Sequence, residues 1–282
     1  MTDIGIAHLS LLHLEPDELI DVAAEAGFDF VGLRVRGATP AEDIPDQRPG
    51  SPMSQSTIMR LQDTGVRVRD IEFLSLDGTT GYEEWMPMLE AGAALGATTL
   101  TLAGQDSDLD RLGDTLAALV HDAVPYGITP ALEPISYNAV STVEQAGALA
   151  SAAGCHVMLD PLHLERGGST PADVADLDPS LIPALQLCDG PAELPDRLEI
   201  TEPLPRGMTA DGEPRKVESR AHRLMPGDGE FPLSDLLHAV ADGTPVSLEV
   251  PNAGLVAELG DLGYARRLRA SAEAVLAGAA HV

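Results

Sequence analysis

Thr129-Pro-Ala-Leu-Glu133-Pro134 and His156-Val-Met-Leu-Asp160-Pro-Leu-His163 are the segments on which the reading of the fold turns. Each is a short apolar run of β propensity that ends on a carboxylate and is closed by proline. The pattern returns at Leu185-Gln186-Leu-Cys-Asp189 and at Ser247-Leu-Glu249-Val-Pro251. The first three polar ends lie roughly 26 residues apart, about the length of one strand-helix unit. In a parallel barrel, strand C-termini converge at one mouth. Glu133, Asp160, Gln186 and Glu249 are therefore expected to meet around one divalent cation. Three carboxylates and an amide oxygen make a hard set suited to Mn²⁺ or Mg²⁺. The competing reading of each residue is a strand-end cap, and the regularity of four favours the site.

Outward from these segments the same alternation continues. A strand over 4–8 precedes a helix over 16–26 that stops at Gly27, and a second strand begins at Phe30. A polar stretch, 37–52, leads to a helix near 54–64 and a strand over 66–76 that contains Glu72. Further helices are expected over 82–95, 108–124 and 142–153, with a strand over 98–103 between the first two. Strands seven and eight fall at 182–188 and 245–250, about 60 residues apart. The polar segment 191–220 between them has no clear periodicity and reads as an inserted loop over the mouth, a candidate lid. The stretch 257–279 is the last outer helix. Residues 1–282 form one domain, a single α/β (β/α)8 TIM barrel with an inserted loop after strand seven.

Composition narrows the function classes. The formal charge is −28, from 45 acidic against 17 basic residues, which repels a phosphodiester backbone, so no nucleic-acid partner is expected. Cys155 and Cys188 sit within strands and imply neither a disulfide framework nor a nucleophile. No apolar run reaches membrane-spanning length and no leader pattern opens the chain, so the expectation is a cytoplasmic, soluble protein with no membrane partner. The only lysine, Lys216, lies in the inserted loop, which leaves no strand lysine for Schiff-base chemistry with a substrate or with pyridoxal phosphate. Gly227-Asp-Gly229 follows a loop and carries an acid, so no nucleotide is expected.

Taken together, Glu133, the Asp160-x-x-His163 pair, Gln186 with Asp189, and Glu249 resemble the xylose isomerase-like barrel superfamily of sugar isomerases, ketose 3-epimerases, inosose dehydratase and 3-dehydroshikimate dehydratases. The resemblance spans the chain, and Pro226-Gly-Asp-Gly229 is similar to a turn that often precedes its last helix-strand unit. It implies that Glu133, Asp160, Gln186 and Glu249 bind one divalent cation, Mn²⁺ or Mg²⁺, with Co²⁺ also suitable. It departs at strand seven, where the isomerases and epimerases commonly carry His. An amide oxygen preserves the coordination number, and Gln at this position raises the dehydratase reading.

Members of this group remove a proton next to a carbonyl, and a cation that chelates the carbonyl and a neighbouring hydroxyl stabilises the enediolate. Glu133 or Glu249 is the candidate base, and His163 the group that moves a proton to a substrate oxygen or orients it. Arg223, Arg34, Glu72 and His8 are candidate substrate contacts. Arg34, Arg220 and Arg223 would suit a substrate carboxylate or phosphate, Arg223 first. The leading expectation is an isomerase or epimerase of a small polyhydroxylated carbonyl compound, followed by a dehydratase and then a barrel that binds a sugar or metal without turnover. A phosphodiesterase of the endonuclease IV type lacks its histidine cluster and basic groove. Such barrels often pair through outer helices, so a homodimer is compatible, but no apolar patch in the sequence marks an interface.

Overall fold

The computed structural model describes residues 2–39, 41–200 and 203–280. Eight parallel strands make one sheet: β1 (Ile4–Ala7), β2 (Phe30–Arg34), β3 (Arg67–Leu76), β4 (Thr99–Gly104), β5 (Thr129–Glu133), β6 (His156–Val157), β7 (Leu185–Leu187) and β8 (Val246–Leu248). Their order is β6-β5-β4-β3-β2-β1-β8-β7. A parallel bridge between Leu159 and Leu185 joins the two ends, and the Gln186 amide donates to the Leu159 carbonyl at 2.8 Å. The sheet is thus a closed barrel with no free edge. Helices cover its outer face, which is why the strands read as continuous apolar runs.

The covering helices are α1 (Pro16–Ala26), α2 (Pro52–Thr64), α3 (Tyr82–Leu95), α4 (Leu109–Ala123) and α5 (Val143–Ala153). Two short ones, α6 (Pro161–Gly167) and α7 (Pro171–Ala175), follow β6; α8 (Pro214–Ala221) and α9 (Leu233–Ala239) follow β7; and α10 (Ala253–Leu259) and α11 (Asp261–Ala279) follow β8. In α4, Leu112, Leu116, Leu119 and Ala123 repeat at helical spacing and are fully buried against the barrel. Truncating one such leucine to alanine costs about 2–5 kcal/mol.

The closed barrel agrees with the sequence reading; strands one, seven and eight are shorter than expected, at 4–7, 185–187 and 246–248, and three further differences have a local cause. Strand six was expected over 156–160; its ladder with β5 covers His156–Val157, Leu159 makes only the single bridge to Leu185, and Asp160 has left the sheet to cap α6, accepting the Leu162 amide at 2.8 Å. The expected helix 257–279 is two helices, broken at Gly260, whose φ of 67° and ψ of 161° are not helical. Segment 191–220 is not featureless. It contains α8, capped by Glu213, and Arg206, whose guanidinium donates to the carbonyls of Leu12 and Leu14 and so pins the insertion to the first βα loop.

Inside the barrel, Gly32 permits one close approach. A Cβ there would lie 2.6 Å from Oδ2 of Asp70 on the neighbouring strand, so glycine is what admits this carboxyl to the interior.

Candidate active site

β5 ends at Glu133, β8 delivers Glu249 one residue past its end, and Asp160 stands at the N-cap of α6, so three acids reach the mouth. All are buried, at 0–4% exposure. Three buried carboxyls need compensation. It comes from Arg223, fully buried, whose Nη1 lies 2.5 Å from Oδ2 of Asp160 and whose Nη2 lies 3.0 Å from Oε2 of Glu249. Nη1 also donates to the Glu249 carbonyl, and Nε to that of Ser219.

A carboxylate clasp sets the position of Arg223. Asp189 pairs with Leu224 by two backbone hydrogen bonds of 2.9–3.0 Å. Its side chain accepts the amides of Gly227, Gly229 and Phe231, which fixes the Pro226-Gly-Asp-Gly turn. Gly227 supplies the positive φ of 88° that this turn requires. Asp189 thus holds the segment that carries Arg223 and is not itself at the cavity.

The charges divide unevenly. Burial works against the Asp160 carboxylate, but Arg223 holds its carboxyl below the usual range. Burial raises Glu249 to about 8 even though Arg223 opposes the shift. Glu133 is raised well above the ordinary value by burial and then by repulsion from Glu249 and Asp160. Its carboxyl accepts no hydrogen bond among the described residues; Nε2 of His163 stands 3.9 Å from its Oε1. Burial lowers His163 to about 4, so the ring is neutral near pH 7, with Nδ1 3.3 Å from the Ser136 hydroxyl and Tyr137 packed edge-on at 5.4 Å.

Among the described residues, Glu133, Asp160 and His163 each place one donor atom within 4.8 Å of the others. Two carboxylate oxygens and an imidazole nitrogen fit a divalent cation of the Mn²⁺, Co²⁺ or Zn²⁺ kind. Gln186 and Glu249, expected in the same shell, stand beside it. Gln186 donates from Nε2 to Oε1 of Glu249 at 3.1 Å, and its own Oε1 is buried without a partner. A buried amide oxygen without a partner among the described residues is an unfilled acceptor, which is the state expected of a ligand atom awaiting a cation.

The other candidates separate clearly. Arg34 and Glu72 line the cavity, but Arg34 is committed to Glu42 and Glu72 at 3.1 and 3.4 Å. Burial raises Glu72 to about 7, and its Oε1 has no partner. His8 does not line the cavity and is a correction to the expected substrate contact. The chain turns at His8 into a short 3-10 helix; its Nε2 meets the Leu14 carbonyl and its Nδ1 accepts the Arg34 amide. Burial lowers its pKa to about 3, which makes it a neutral structural residue. Sequence reasoning missed Gln105, Ser136, Tyr137, Asn138 and Ser219. They lie in βα loops or on α8, and the available signal was the run Ser136-Tyr-Asn138 immediately after Glu133-Pro134.

The profile described as the xylose isomerase-like TIM barrel matches residues 20–275. The chain belongs to this family. No curated protein matches it significantly in sequence. Among solved structures, the IOLI protein with a bound zinc atom is 18% identical with a TM-score of 0.73, covering 99% of both chains. The probable 3-DHS dehydratase AsbF from Bacillus anthracis is 14% identical with a TM-score of 0.69, covering 95% of this chain and 98% of its own. L-ribulose 3-epimerase is 17% identical with a TM-score of 0.68, covering 100% and 96%. At these identities the likeness is one of fold. Among the described residues no helix is long and apolar enough to cross a membrane.

Proposed function

We propose that this barrel is a divalent-metal-dependent isomerase or epimerase of a small polyhydroxylated carbonyl compound. The observation that carries the reading is Glu133: a buried carboxyl lining the cavity that accepts no hydrogen bond among the described residues and stands with donor atoms of Asp160 and His163 all within 4.8 Å of one another. With one oxygen on a cation and the other free, a carboxylate so placed can take the proton from the carbon next to the carbonyl. Glu249, which lines the same cavity and whose carboxyl burial pushes up, is the second acid/base candidate for returning the proton. His163 would hold the cation beside Glu133 and Asp160 while its Nδ1 stays on the Ser136 hydroxyl, so its part is to position the ion and, through it, the substrate oxygen. A cation bound by Glu133, Asp160 and His163 would polarise the carbonyl and stabilise the negative charge that develops on its oxygen.

Dehydration is the second reading, supported by Gln186 at strand seven and by Tyr137 at the cavity wall. It requires only that proton removal be followed by loss of a β-hydroxyl, which a nearby phenol could protonate. The test is metal-stripped protein with Mn²⁺ or Zn²⁺ restored, offered ketoses, inososes and 3-dehydroshikimate in D2O. Metal-dependent deuterium uptake next to the carbonyl with a changed sugar supports isomerisation or epimerisation. An absorbing conjugated product supports the dehydratase, and no exchange with any compound sinks both.

A further inference from the structure

We propose that the mouth carries a subsite for an anionic group, a carboxylate or phosphate, at the end of the substrate away from its carbonyl, with Arg220 as the anchor and Lys216 and Asn138 beside it. The assignment deepens the proposed function, on which it rests, by naming the substrate class.

The first observation is where the cations lie. Four of the 17 basic residues fall between 215 and 223: Arg215, Lys216, Arg220 and Arg223, and Lys216 is the only lysine. The chain carries −28, so an anion approaching most of its surface is repelled, and only a local concentration of base would accept one.

The second is that the neighbouring cations are already committed. Arg34 is bound to two glutamates, Arg223 to Asp160 and Glu249, and Arg215 to Glu213 at 2.8 Å and to the Ser136 carbonyl. Arg220 differs. It meets the Thr209 carbonyl, and no carboxylate lies within 4.0 Å of it among the described residues. Lys216 pairs with Asp211 at 2.8 Å, but that side chain is 63% exposed, and an ion pair so open to water is readily exchanged for a ligand. The side-chain amide of Asn138 makes no hydrogen bond to the chain among the described residues and is free to donate.

The third is position. A cavity of about 60 Å³ beside Glu133 and His163 adjoins an outer pocket of about 430 Å³, and Gln105, Tyr137, Asn138 and Arg220 line both. A substrate that extends from Glu133 into the outer pocket runs alongside Arg220. A neutral sugar offers this guanidinium no counter-charge, whereas a sugar acid, cyclic hydroxy acid or sugar phosphate does, through paired N–H donors.

Three six-carbon probes of matched length test this by titration calorimetry on the full chain: D-sorbitol, D-gluconate and D-sorbitol 6-phosphate. At low salt at least one anion should bind about tenfold more tightly than sorbitol, an advantage that added salt erodes. The tighter anion identifies carboxylate or phosphate. Arg220→Gln should abolish the advantage, leaving neither anion tighter than sorbitol in the same variant, and Arg220→Lys should restore part of it. Equal affinity for all three probes, no measurable binding of either anion, or an anion preference that survives Arg220→Gln in folded protein would overturn the assignment. If the preference holds but no carbonyl compound exchanges deuterium, the subsite stands and the proposed reaction falls.

Discussion

Nη1 of Arg223 lies 2.5 Å from Oδ2 of Asp160, both groups fully buried, at the point where the barrel's strand ends converge. The same guanidinium reaches Glu249, so one fixed cation compensates two acids of the site. A divalent ion held by Glu133, Asp160 and His163 would share Asp160 with it. Arg223 was expected to grip a substrate anion, yet its donors are already spent on the protein's own carboxylates.

Removing this cation strands two buried carboxylates. Arg223→Met should therefore destabilise metal-free protein by about 3–5 kcal/mol, the usual consequence of breaking one side of a buried pair. Mn²⁺ should recover part of the loss. Urea denaturation with and without the ion measures both, and wild-type stability in the metal-free variant would mean that the pair does not hold the mouth together.

Glu133 shows the opposite economy. Its carboxyl is buried, repelled by Glu249 and Asp160, and bound by no donor, so ionisation strains the fold. Glu133→Gln keeps the shape and removes the charge. Metal-free variant should be more stable than the wild type at alkaline pH, where Glu133 is forced to ionise, while turnover falls by about 10²-fold or more. A variant that is both less stable and active would remove Glu133 from the role of base.

The barrel and its acids were legible because strand ends converge by geometry: once β5, β6 and β8 are recognised, Glu133, Asp160 and Glu249 must share a mouth. What was not legible depends on loops. Arg223 meets Asp160 across 63 residues and an insertion without periodicity, so no local pattern announces the pair. Tyr137 and Asn138 lie in a βα loop, where side-chain direction follows turn geometry and not an alternation of two. His8 misled because the chain leaves the extended conformation at that residue, which turns an apparent strand end into a buried hinge to Leu14 and Arg34.

Asp70, admitted beneath the site by Gly32, supplies a pH signature. Burial, reinforced by Glu249, raises its pKa from 3.8 to about 7. A raised carboxyl contributes its stability in full below the unfolded value, near pH 4, and loses it as pH climbs through the folded value. Asp70→Asn should thus gain on the wild type by about 1.4 kcal/mol per pH unit between pH 4 and 7, and then level off. Denaturation of both proteins across this range isolates the group, and a pH-independent difference would show that Asp70 ionises normally.

Gln186 decides whether strand seven belongs to the metal shell. Its Oε1 is buried and unpartnered while Nε2 is held by Glu249, so the residue offers a weak oxygen donor at the position of strongest sequence departure. An imidazole there would be a better ligand for borderline metals than for hard ones. Gln186→His should therefore raise affinity for Zn²⁺ or Co²⁺ about tenfold and leave Mg²⁺ nearly unchanged. Competition with a chromogenic chelator reads this without turnover. Unchanged affinity for every metal would place Gln186 outside the shell and leave Glu133, Asp160 and His163 as the complete protein contribution. A gain confined to the softer ions would mean that the native amide tunes the site toward harder ones.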